Sequence, residues 1–271
     1  MILRELLQQT TARLKNIPRA QREAQLLAIH YFNKDELWLI TNQNSEVDVG
    51  DNYFAMVAKR AQNIPLEYIT NRVSFYSQEF YIDEGALIPR PETELLIDAV
   101  KKEIDQGSTA TFVEVGVGSG IISIMLALHF NCAKFIAIDI SPKALEVAKK
   151  NIKKFNLQNR IELRLGSLLD NVDEAFEYLV SNPPYIANGV KLEKNLSYEP
   201  QNALFGGEVG DEIIRDLLDA VLSRGTKYFF CEIGYDQKDK IQSYLKNRCY
   251  ESLEFYKDYS GFDRGFTLRL Q

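Results

Sequence analysis

A strand, a glycine-rich loop, a helix and a second strand follow one another between residues 111 and 139, and this order constrains the fold more than any other feature. Residues 111–115 and 135–139 are short apolar runs typical of buried strands, and residues 121–128 between them have the apolar character of a buried helix. Two strands joined by a helical crossover lie parallel in one sheet. The pattern therefore predicts an α/β protein whose mainly parallel sheet is covered by helices on both faces.

The loop after the first strand reads Gly-Val-Gly-Ser-Gly and predicts a ligand site. Glycine has no Cβ, so the backbone can turn tightly and approach a ligand at the carboxyl edge of the sheet. Asp139 ends the second strand about 20 residues after this loop, a position suited to accepting hydrogen bonds from two ribose hydroxyls. A nucleoside cofactor is the expected ligand.

The spacing of the glycines separates two kinds of nucleoside cofactor. Dinucleotide-binding loops follow G-x-G-x-x-G, whereas here the pattern is G-x-G-x-G preceded by Glu114. The tighter spacing resembles the S-adenosylmethionine loop of class I methyltransferases, whose ligand carries an ammonium group and no pyrophosphate. It disfavours a nicotinamide oxidoreductase. Leu168, after the third strand, is expected to form an apolar wall against the adenine ring of the cofactor. The predicted cofactor-binding residues are Glu114, Gly116, Val117, Gly118, Ser119, Gly120, Asp139, Leu168 and Asn182.

A second candidate site follows the apolar run at residues 176–180, where the chain continues Ser-Asn-Pro-Pro-Tyr. Neither proline can donate a ladder hydrogen bond and each restricts the residue before it, so the strand should end in a stiff, extended loop. The Asn182 amide oxygen and the Pro183 carbonyl oxygen are two acceptors for the hydrogens of a planar NH2 group, and Tyr185 offers that group a flat face. The motif resembles that of amino-group methyltransferases. The predicted catalytic residues are Asn182, Pro183, Pro184 and Tyr185.

The remaining chain completes one sheet. Further strands are predicted at residues 161–165, 226–232, 250–257 and 265–270, with helices at residues 142–155 and 236–245. The fold class is therefore α/β: a Rossmann-like, mostly parallel seven-stranded sheet with a terminal antiparallel hairpin. The loop at residues 186–208 is long enough to suggest a functional role.

The N-terminal part has a different pattern. Apolar residues at helical spacing within residues 1–70 predict a small bundle of three helices. Either these helices only bury their apolar faces against one another, or the bundle also binds a protein substrate. Two apolar segments, residues 73–76 and 80–82, flank a polar turn and predict a β-hairpin linker at residues 71–86. The catalytic domain is assigned to residues 87–271. Arg90 lies before a well-formed helix start and either belongs to it or serves the active site.

Composition and charge limit the classes of partner expected for this chain. The chain has 271 residues, of which 45% are hydrophobic and 26% charged, and its formal charge is −6. No global positive field is available to attract a phosphate backbone, so nucleic acid is not an expected partner.

The three cysteines lack metal-ligand spacing and are expected to be buried thiols in a reducing compartment, with no metal site. Charges interrupt the N-terminus and no apolar run approaches ~18 residues, so the predicted location is cytoplasmic, away from any membrane.

These motifs together resemble the HemK/PrmC family of N5-glutamine methyltransferases. The segments that carry the resemblance are residues 64–69, Phe75-Tyr76, residues 87–94, residues 114–120, residues 182–185, Tyr198-Glu199-Pro200 with Gly206-Gly207, and Glu232-Ile233-Gly234. They span nearly the whole chain. The resemblance implies S-adenosylmethionine as cofactor and, as protein substrate, the glutamine in the Gly-Gly-Gln loop of class 1 peptide chain release factors. It also implies that the helical domain helps to dock that substrate, and a monomer is expected.

The expected chemistry is a direct displacement, in which the glutamine amide nitrogen attacks the methyl group on the cofactor sulfur, the bond between sulfur and methyl breaks, and S-adenosylhomocysteine leaves. Two alternatives remain open on the residues alone. An N6-adenine nucleic-acid methyltransferase would share the Asn-Pro-Pro-Tyr loop, although the acidic charge disfavours it. A catalytically silent S-adenosylmethionine-binding protein is disfavoured by the intact loop.

Overall fold

The structure, a computed structural model, describes residues 1–270 and divides them into two compact units. The first unit contains Met1–Arg72 together with the short segment Glu193–Tyr198. The second contains Val73–Leu192 and residues 199–270.

The first unit is helical. Its helices are α1 (Leu3–Arg13), α2 (Ala20–Phe32), α3 (Glu36–Thr41), α4 (Asp51–Ala61) and α5 (Leu66–Thr70). Leu6, Leu27 and Val57 are buried where α1, α2 and α4 meet, and the hydroxyls of Thr10 and Tyr53 lie 2.8 Å apart in the same core. The sequence predicts three helices, and α3 and α5 are additional because segments of six and five residues are too short to show a helical period.

The second unit begins with a hairpin of β1 (Val73–Phe75) and β2 (Gln78–Phe80). Tyr76 and Ser77 connect the strands with φ angles of 51° and 59°, which is the backbone of a two-residue type I′ turn. The predicted second strand starts two residues later than the observed one, because neither turn residue is the glycine or asparagine that usually marks this turn.

The rest of the second unit is a sheet with helices on both faces. Its helices are α6 (Thr93–Glu103), α7 (Ile121–His129), α8 (Pro142–Lys154), α9 (Glu212–Arg224) and α10 (Lys238–Leu245). Its strands are β3 (Thr111–Val115), β4 (Lys134–Asp139), β5 (Ile161–Leu165), β6 (Tyr178–Ser181), the short pair β7 (Ile186–Ala187) and β8 (Phe205–Gly207), β9 (Tyr228–Glu232), β10 (Ser252–Lys257) and β11 (Asp263–Arg269).

The main sheet has seven strands in the order β10-β11-β9-β6-β3-β4-β5. The five strands from β9 to β5 are parallel, and β11 and β10 add an antiparallel edge. This is the predicted fold class, with the predicted terminal hairpin. The long loop after β6 is not wholly irregular, since β7 and β8 form a second, two-stranded parallel sheet within it.

The register at the centre of the sheet positions the site. Val115, the last residue of β3, is paired with Ser181 of β6, and Ser181 is paired with Cys231 of β9. The next residues along these strands are Gly116, Asn182 and Glu232. Because the strands are parallel, the three residues reach the same carboxyl edge of the sheet side by side.

The core lies on both faces of this sheet. Successive residues of a strand point to opposite faces, so Phe112 belongs to one apolar cluster and Val113 to the other. Of the three thiols only Cys231 is buried, and the prediction was wrong for Cys132 and Cys249, which lie exposed outside the helices and strands. Within residues 1–270, no helix has the length and apolar character needed to cross a membrane.

Candidate active site

The glycine loop between β3 and α7 forms the floor of a cavity at the carboxyl edge of the sheet. Gly116 and Gly118 line the cavity with φ angles of 79° and 53°, and Val117 and Ser119 line it with them. Gly120 has a φ of 84° but is not part of the cavity wall. A Cβ at Gly120 would lie 3.3 Å from the Ala148 Cβ, so this glycine allows α7 to pack closely on α8.

Asp139, at the end of β4, fixes the glycine loop and faces the cavity. Its Oδ2 accepts a hydrogen bond from the Gly118 amide and its Oδ1 from the Ser141 amide, both at 2.9 Å. Burial raises the pKa of the Asp139 carboxyl, and these two amides oppose the rise. A carboxylate has about four lone-pair sites, so each oxygen can still accept a hydroxyl of a ribose.

Glu114, the fourth residue of β3, is a buried acid on the cavity wall. Its Oε2 accepts hydrogen bonds from the backbone amide and the hydroxyl of Ser123, whereas its Oε1 has no partner among the described residues. Burial raises the pKa of the Glu114 carboxyl to about 8. A buried carboxylate oxygen without a partner is costly in free energy, and a bound cation would remove that cost.

The turn after β5 contributes an apolar wall to the cavity. Leu168 adopts a left-handed backbone conformation with a φ of 49°, and Ser167 and Leu168 both line the cavity. Ile138 and Ile140 line it as well. A flat aromatic base would find apolar contacts beside the carboxylate of Asp139.

The loop after β6 forms a further part of the cavity wall. Asn182, Pro183 and Pro184 line the cavity. The Asn182 backbone oxygen lies 3.7 Å from where a Cβ on Gly116 would be, so this loop and the glycine loop are in direct proximity. The Ser181 hydroxyl donates a hydrogen bond to the Val115 carbonyl at 2.7 Å and ties the two strand ends together.

Tyr185 is placed differently from the other three predicted catalytic residues. It is not part of the cavity wall, and its side chain packs against the apolar cluster that contains Leu179 and Phe229. Burial raises the pKa of the Tyr185 hydroxyl to about 12, so the phenol stays neutral. Its backbone carbonyl accepts a hydrogen bond from the Gln237 side chain at 3.1 Å, which holds the loop in place.

Arg90 lies at the cavity wall and forms an ion pair there. Its Nη2 lies 2.6 Å from Oε1 of Glu199, and the other Glu199 oxygen accepts a hydrogen bond from the Ile88 amide at 3.1 Å. Arg90 also lines the cavity. The sequence leaves two roles open for Arg90, and its position is compatible with both, because the pair fixes the segment before α6 at the cavity wall.

Comparison with known proteins identifies the family. The sequence profile of the methyltransferase small domain matches residues 88–204, and that of the PrmC N-terminal domain matches residues 5–70. The chain is 38% identical over 274 residues to a release factor glutamine methyltransferase from Dictyoglomus turgidum, an alignment that covers 97% of this chain and 96% of that protein. The chain belongs to the release factor glutamine methyltransferase family. A relative of the same name from Clostridium acetobutylicum is 34% identical and covers 89% of this chain and 88% of its own length.

Solved structures support the fold of this family member independently. The catalytic domain of hMettl16, solved with an RNA hairpin, matches with a TM-score of 0.60 at 14% identity over 83% of this chain and 84% of that one. A ribosomal protein L11 methylase from Lactobacillus delbrueckii matches with a TM-score of 0.51 at 22% identity, over 70% of this chain and 84% of that one. The predicted class I methyltransferase fold is confirmed.

The cavity fits the methyl donor of this family, S-adenosylmethionine. Its walls offer a carboxylate with free lone pairs for the ribose, an apolar surface for the base, and the unpartnered oxygen of Glu114 for the ammonium group. All three features come from groups of this chain that are already in place.

Three residues of the site were not given a role from the sequence. Thr93, Glu232 and Gln237 are each about 1% exposed, and their side chains hydrogen-bond to the Asn-Pro-Pro-Tyr loop or to one another. Glu232 had a local signal, since it is an acid at the end of an apolar strand, as Asp139 is. Thr93 lies in the segment 87–94 that carries the family resemblance, but no local pattern indicated its contact or that of Gln237, because these contacts join segments 89 and 52 residues away in sequence.

Proposed function

We propose that this protein transfers a methyl group from S-adenosylmethionine to the side-chain amide nitrogen of the glutamine in the Gly-Gly-Gln loop of class 1 peptide chain release factors. The proposal rests on the adjacency of two loops at one sheet edge. The glycine loop starts at Gly116 and the acceptor loop at Asn182, and a Cβ on Gly116 would lie 3.7 Å from the Asn182 backbone oxygen. A cofactor on the first loop and an amide on the second would therefore meet in one cavity.

In this proposal the chain holds the cofactor with four kinds of contact. Asp139 accepts the ribose hydroxyls, Leu168 contacts the base and the Glu114 Oε1 faces the ammonium group, while Gly116 and Gly118 let the backbone approach closely. When bound, S-adenosylmethionine supplies an electrophilic methyl group on a positively charged sulfur.

Asn182 and Pro183 are the proposed acceptors for the substrate amide. An amide nitrogen is a poor nucleophile because its lone pair is delocalised into its carbonyl. The Asn182 side-chain oxygen and the Pro183 carbonyl oxygen would accept its two hydrogens and fix its orientation, and aligning two bound reactants can lower a barrier by ~7–11 kcal/mol. Both oxygens are dipoles of the sign that stabilises positive charge developing on the nitrogen. Pro184 stiffens the loop, and Tyr185 anchors it by packing behind it.

The helical unit, residues 1–72, is the proposed docking domain for the release factor. It is the part of the chain that matches the PrmC N-terminal domain, and Leu37 and Ile40 on α3 are 68% and 65% exposed. Exposed aliphatic side chains of this size are suited to protein contact. We further propose that the protein is a cytoplasmic monomer, since its proposed substrate acts in translation, and that nucleic acid is not its substrate.

Transfer of labelled methyl groups tests the proposal. The full chain is incubated with labelled S-adenosylmethionine and with a purified class 1 release factor, the same factor with its loop glutamine replaced by alanine, or duplex DNA. Label on the intact factor alone supports the proposal. Label on DNA alone would favour the nucleic-acid alternative, and absence of label from all three substrates would favour a silent binding protein.

A further inference from the structure

Three polar side chains form a hydrogen-bonded row behind the acceptor loop. The Asn182 Nδ2 lies 3.1 Å from the Thr93 Oγ1, and the Thr93 Oγ1 lies 2.7 Å from Oε2 of Glu232. Thr93 and Glu232 are each 1% exposed, so water cannot readily replace either contact. Thr93 is the first residue of α6 and Glu232 the last of β9, so two separate elements fix the row.

The number of protons in this row determines which end of the Asn182 amide faces the cavity. A threonine hydroxyl has one proton, and an ionised carboxylate can only accept. Thr93 therefore donates its proton to Glu232 and has only lone pairs left for Asn182. The Asn182 amide must then turn its NH2 group to Thr93, which leaves its oxygen for the cavity.

We infer that Thr93 and Glu232 are positioning residues that set the orientation of the Asn182 amide, so that its oxygen and not its nitrogen meets the NH2 group of the substrate. This inference rests on the proposed function. In the reverse orientation, two NH2 groups would face each other, and neither could accept. Neither Thr93 nor Glu232 would touch the reacting atoms.

The surroundings of Glu232 make the constraint depend on its ionisation. Burial raises the pKa of Glu232 to about 7, while the Thr93 hydrogen bond and the charge of Arg264 lower it. The charged and titratable groups that face Glu232 are Arg90 and Glu92 before α6, Tyr185 after β6, Cys231 in β9, Tyr256 in β10 and Arg264 in β11. A protonated Glu232 can donate to Thr93, which frees the threonine proton and permits either orientation of the amide.

A double-mutant cycle tests the inference. Thr93→Val keeps the shape of the side chain and removes its hydroxyl, and we expect it to lower kcat/KM for methyl transfer to the release factor on the order of tenfold. In an Asn182→Ala background the same substitution should change kcat/KM less than about twofold, because the amide it orients is gone. Thr93→Ser, which retains the hydroxyl, should restore most of the activity. Equal losses in the two backgrounds would overturn the inference.

A second buried threonine provides the control for the Thr→Val change. Thr226 is 0% exposed, and its hydroxyl has no hydrogen-bond partner among the described residues. Thr226→Val should leave kcat/KM unchanged, and calorimetry should find the affinity for S-adenosylmethionine unchanged in Thr93→Val and Thr93→Ser. If Thr93→Val does not fold, Glu232→Gln decides: the wild-type rate should fall as the pH drops below about 7, because Glu232 becomes protonated. The Gln variant should lack that decline, and an identical pH profile would overturn the inference.

NMR of asparagine side chains separates this inference from the proposed function. With 15N-labelled asparagine, the Asn182 NH2 signal is the one that disappears in Asn182→Ala. Its hydrogens should exchange slowly with solvent in the wild type at pH 8 and faster in Thr93→Val, even if the protein methylates no release factor. Unchanged exchange in Thr93→Val would contradict the inference, whereas absent methyl transfer by the wild type would contradict only the proposed function.

Discussion

Asn182 is the residue on which the proposed chemistry depends most. Its backbone oxygen is close to the glycine loop, its side-chain nitrogen is hydrogen-bonded to Thr93, and its side-chain oxygen is left for the cavity. Pro183 adds the second acceptor from a carbonyl that a proline ring holds in place. In the proposed mechanism a single asparagine therefore couples the position of the cofactor loop to that of the substrate amide.

Replacement of Asn182 by alanine should separate binding of the cofactor from catalysis. We expect Asn182→Ala to lower kcat roughly 10²–10³-fold, as for the loss of one preorganised polar contact. Cofactor affinity should stay nearly unchanged, because alanine keeps the backbone oxygen that lies beside the glycine loop. Asn188→Ala is the control, because Asn188 is an exposed asparagine in the same loop. Turnover of Asn182→Ala near the wild-type value would remove Asn182 from the proposed role.

Glu114 should make the unliganded protein less stable as the pH rises. The pKa of Glu114 in the folded state is about 8, against an ordinary value of 4.5, so the folded protein binds this proton more tightly than the unfolded chain does. The free energy of unfolding therefore decreases as the pH rises through the range between these two values. Glu114→Gln keeps an oxygen for Ser123 and removes the ionisation. The gain in melting temperature of Glu114→Gln over wild type should therefore grow from pH 5 to pH 8. At pH 8 it should correspond to a difference of about a few kcal/mol in the free energy of unfolding. A difference that does not change with pH would show that Glu114 does not titrate as a buried acid.

At the scale of elements, two glycines and one glutamine support the acceptor loop. A Cβ on Gly206 of β8 would lie 2.2 Å from the Pro184 carbonyl oxygen, and one on Gly210 would lie 2.7 Å from the Tyr185 carbonyl oxygen. The Gln237 amide donates hydrogen bonds to the carbonyls of Tyr185 and Gly210. The loop is thus held from behind by β8 and by the start of α10.

Gly206→Ala should displace the acceptor loop. The added Cβ meets backbone atoms of Pro184 and Gly210, which cannot move without shifting the loop, and a misplacement of about 1 Å can cost 10²-fold in rate. We expect kcat to fall by roughly that factor, with cofactor affinity largely retained. Gly107→Ala is the control, because its Cβ would meet only the flexible side chain of Asp105. Normal kinetics of Gly206→Ala would mean that β8 does not position the loop.

Local patterns predicted the elements better than the contacts between them. The strand and helix starts of the βαβ unit and the cofactor loop were visible from residues 111 to 139, because glycine spacing and strand period are short-range signals. The contact between Thr93 and Glu232 joins residues 139 positions apart and depends on strand order. For Tyr185, the sequence could not distinguish a side chain facing the cavity from one packed behind the loop.

At the scale of the whole molecule, the chain combines a methyltransferase unit with a helical unit. The change from helical spacing to alternating strands and helices predicted where one pattern replaces the other. The observed units divide at Arg72, but the segment Glu193–Tyr198 belongs to the first unit. There the Tyr198 hydroxyl donates a hydrogen bond to the Gln62 carbonyl at 2.8 Å, a contact no local pattern reveals.

The helical unit should affect substrate binding and not the chemical step. We expect the double variant Leu37→Ser, Ile40→Ser to raise the KM for the release factor roughly tenfold at an unchanged kcat, because two exposed aliphatic side chains would no longer be buried on docking. Leu128→Ser is the matched control, since Leu128 is 41% exposed on α7 of the other unit. A KM unchanged by the double variant would place the docking surface elsewhere.

Mapping of the transferred methyl group by mass spectrometry tests the central claim most directly. A class 1 release factor would be incubated with the full chain and S-adenosylmethionine, digested, and its loop peptide fragmented. The proposed function predicts one added methyl group on the side-chain nitrogen of the Gly-Gly-Gln glutamine. It predicts no added methyl group when the Asn182→Ala variant is incubated with the factor for the same time. A methyl group on another residue, or an unmodified loop after full incubation with the wild type, would contradict the proposal.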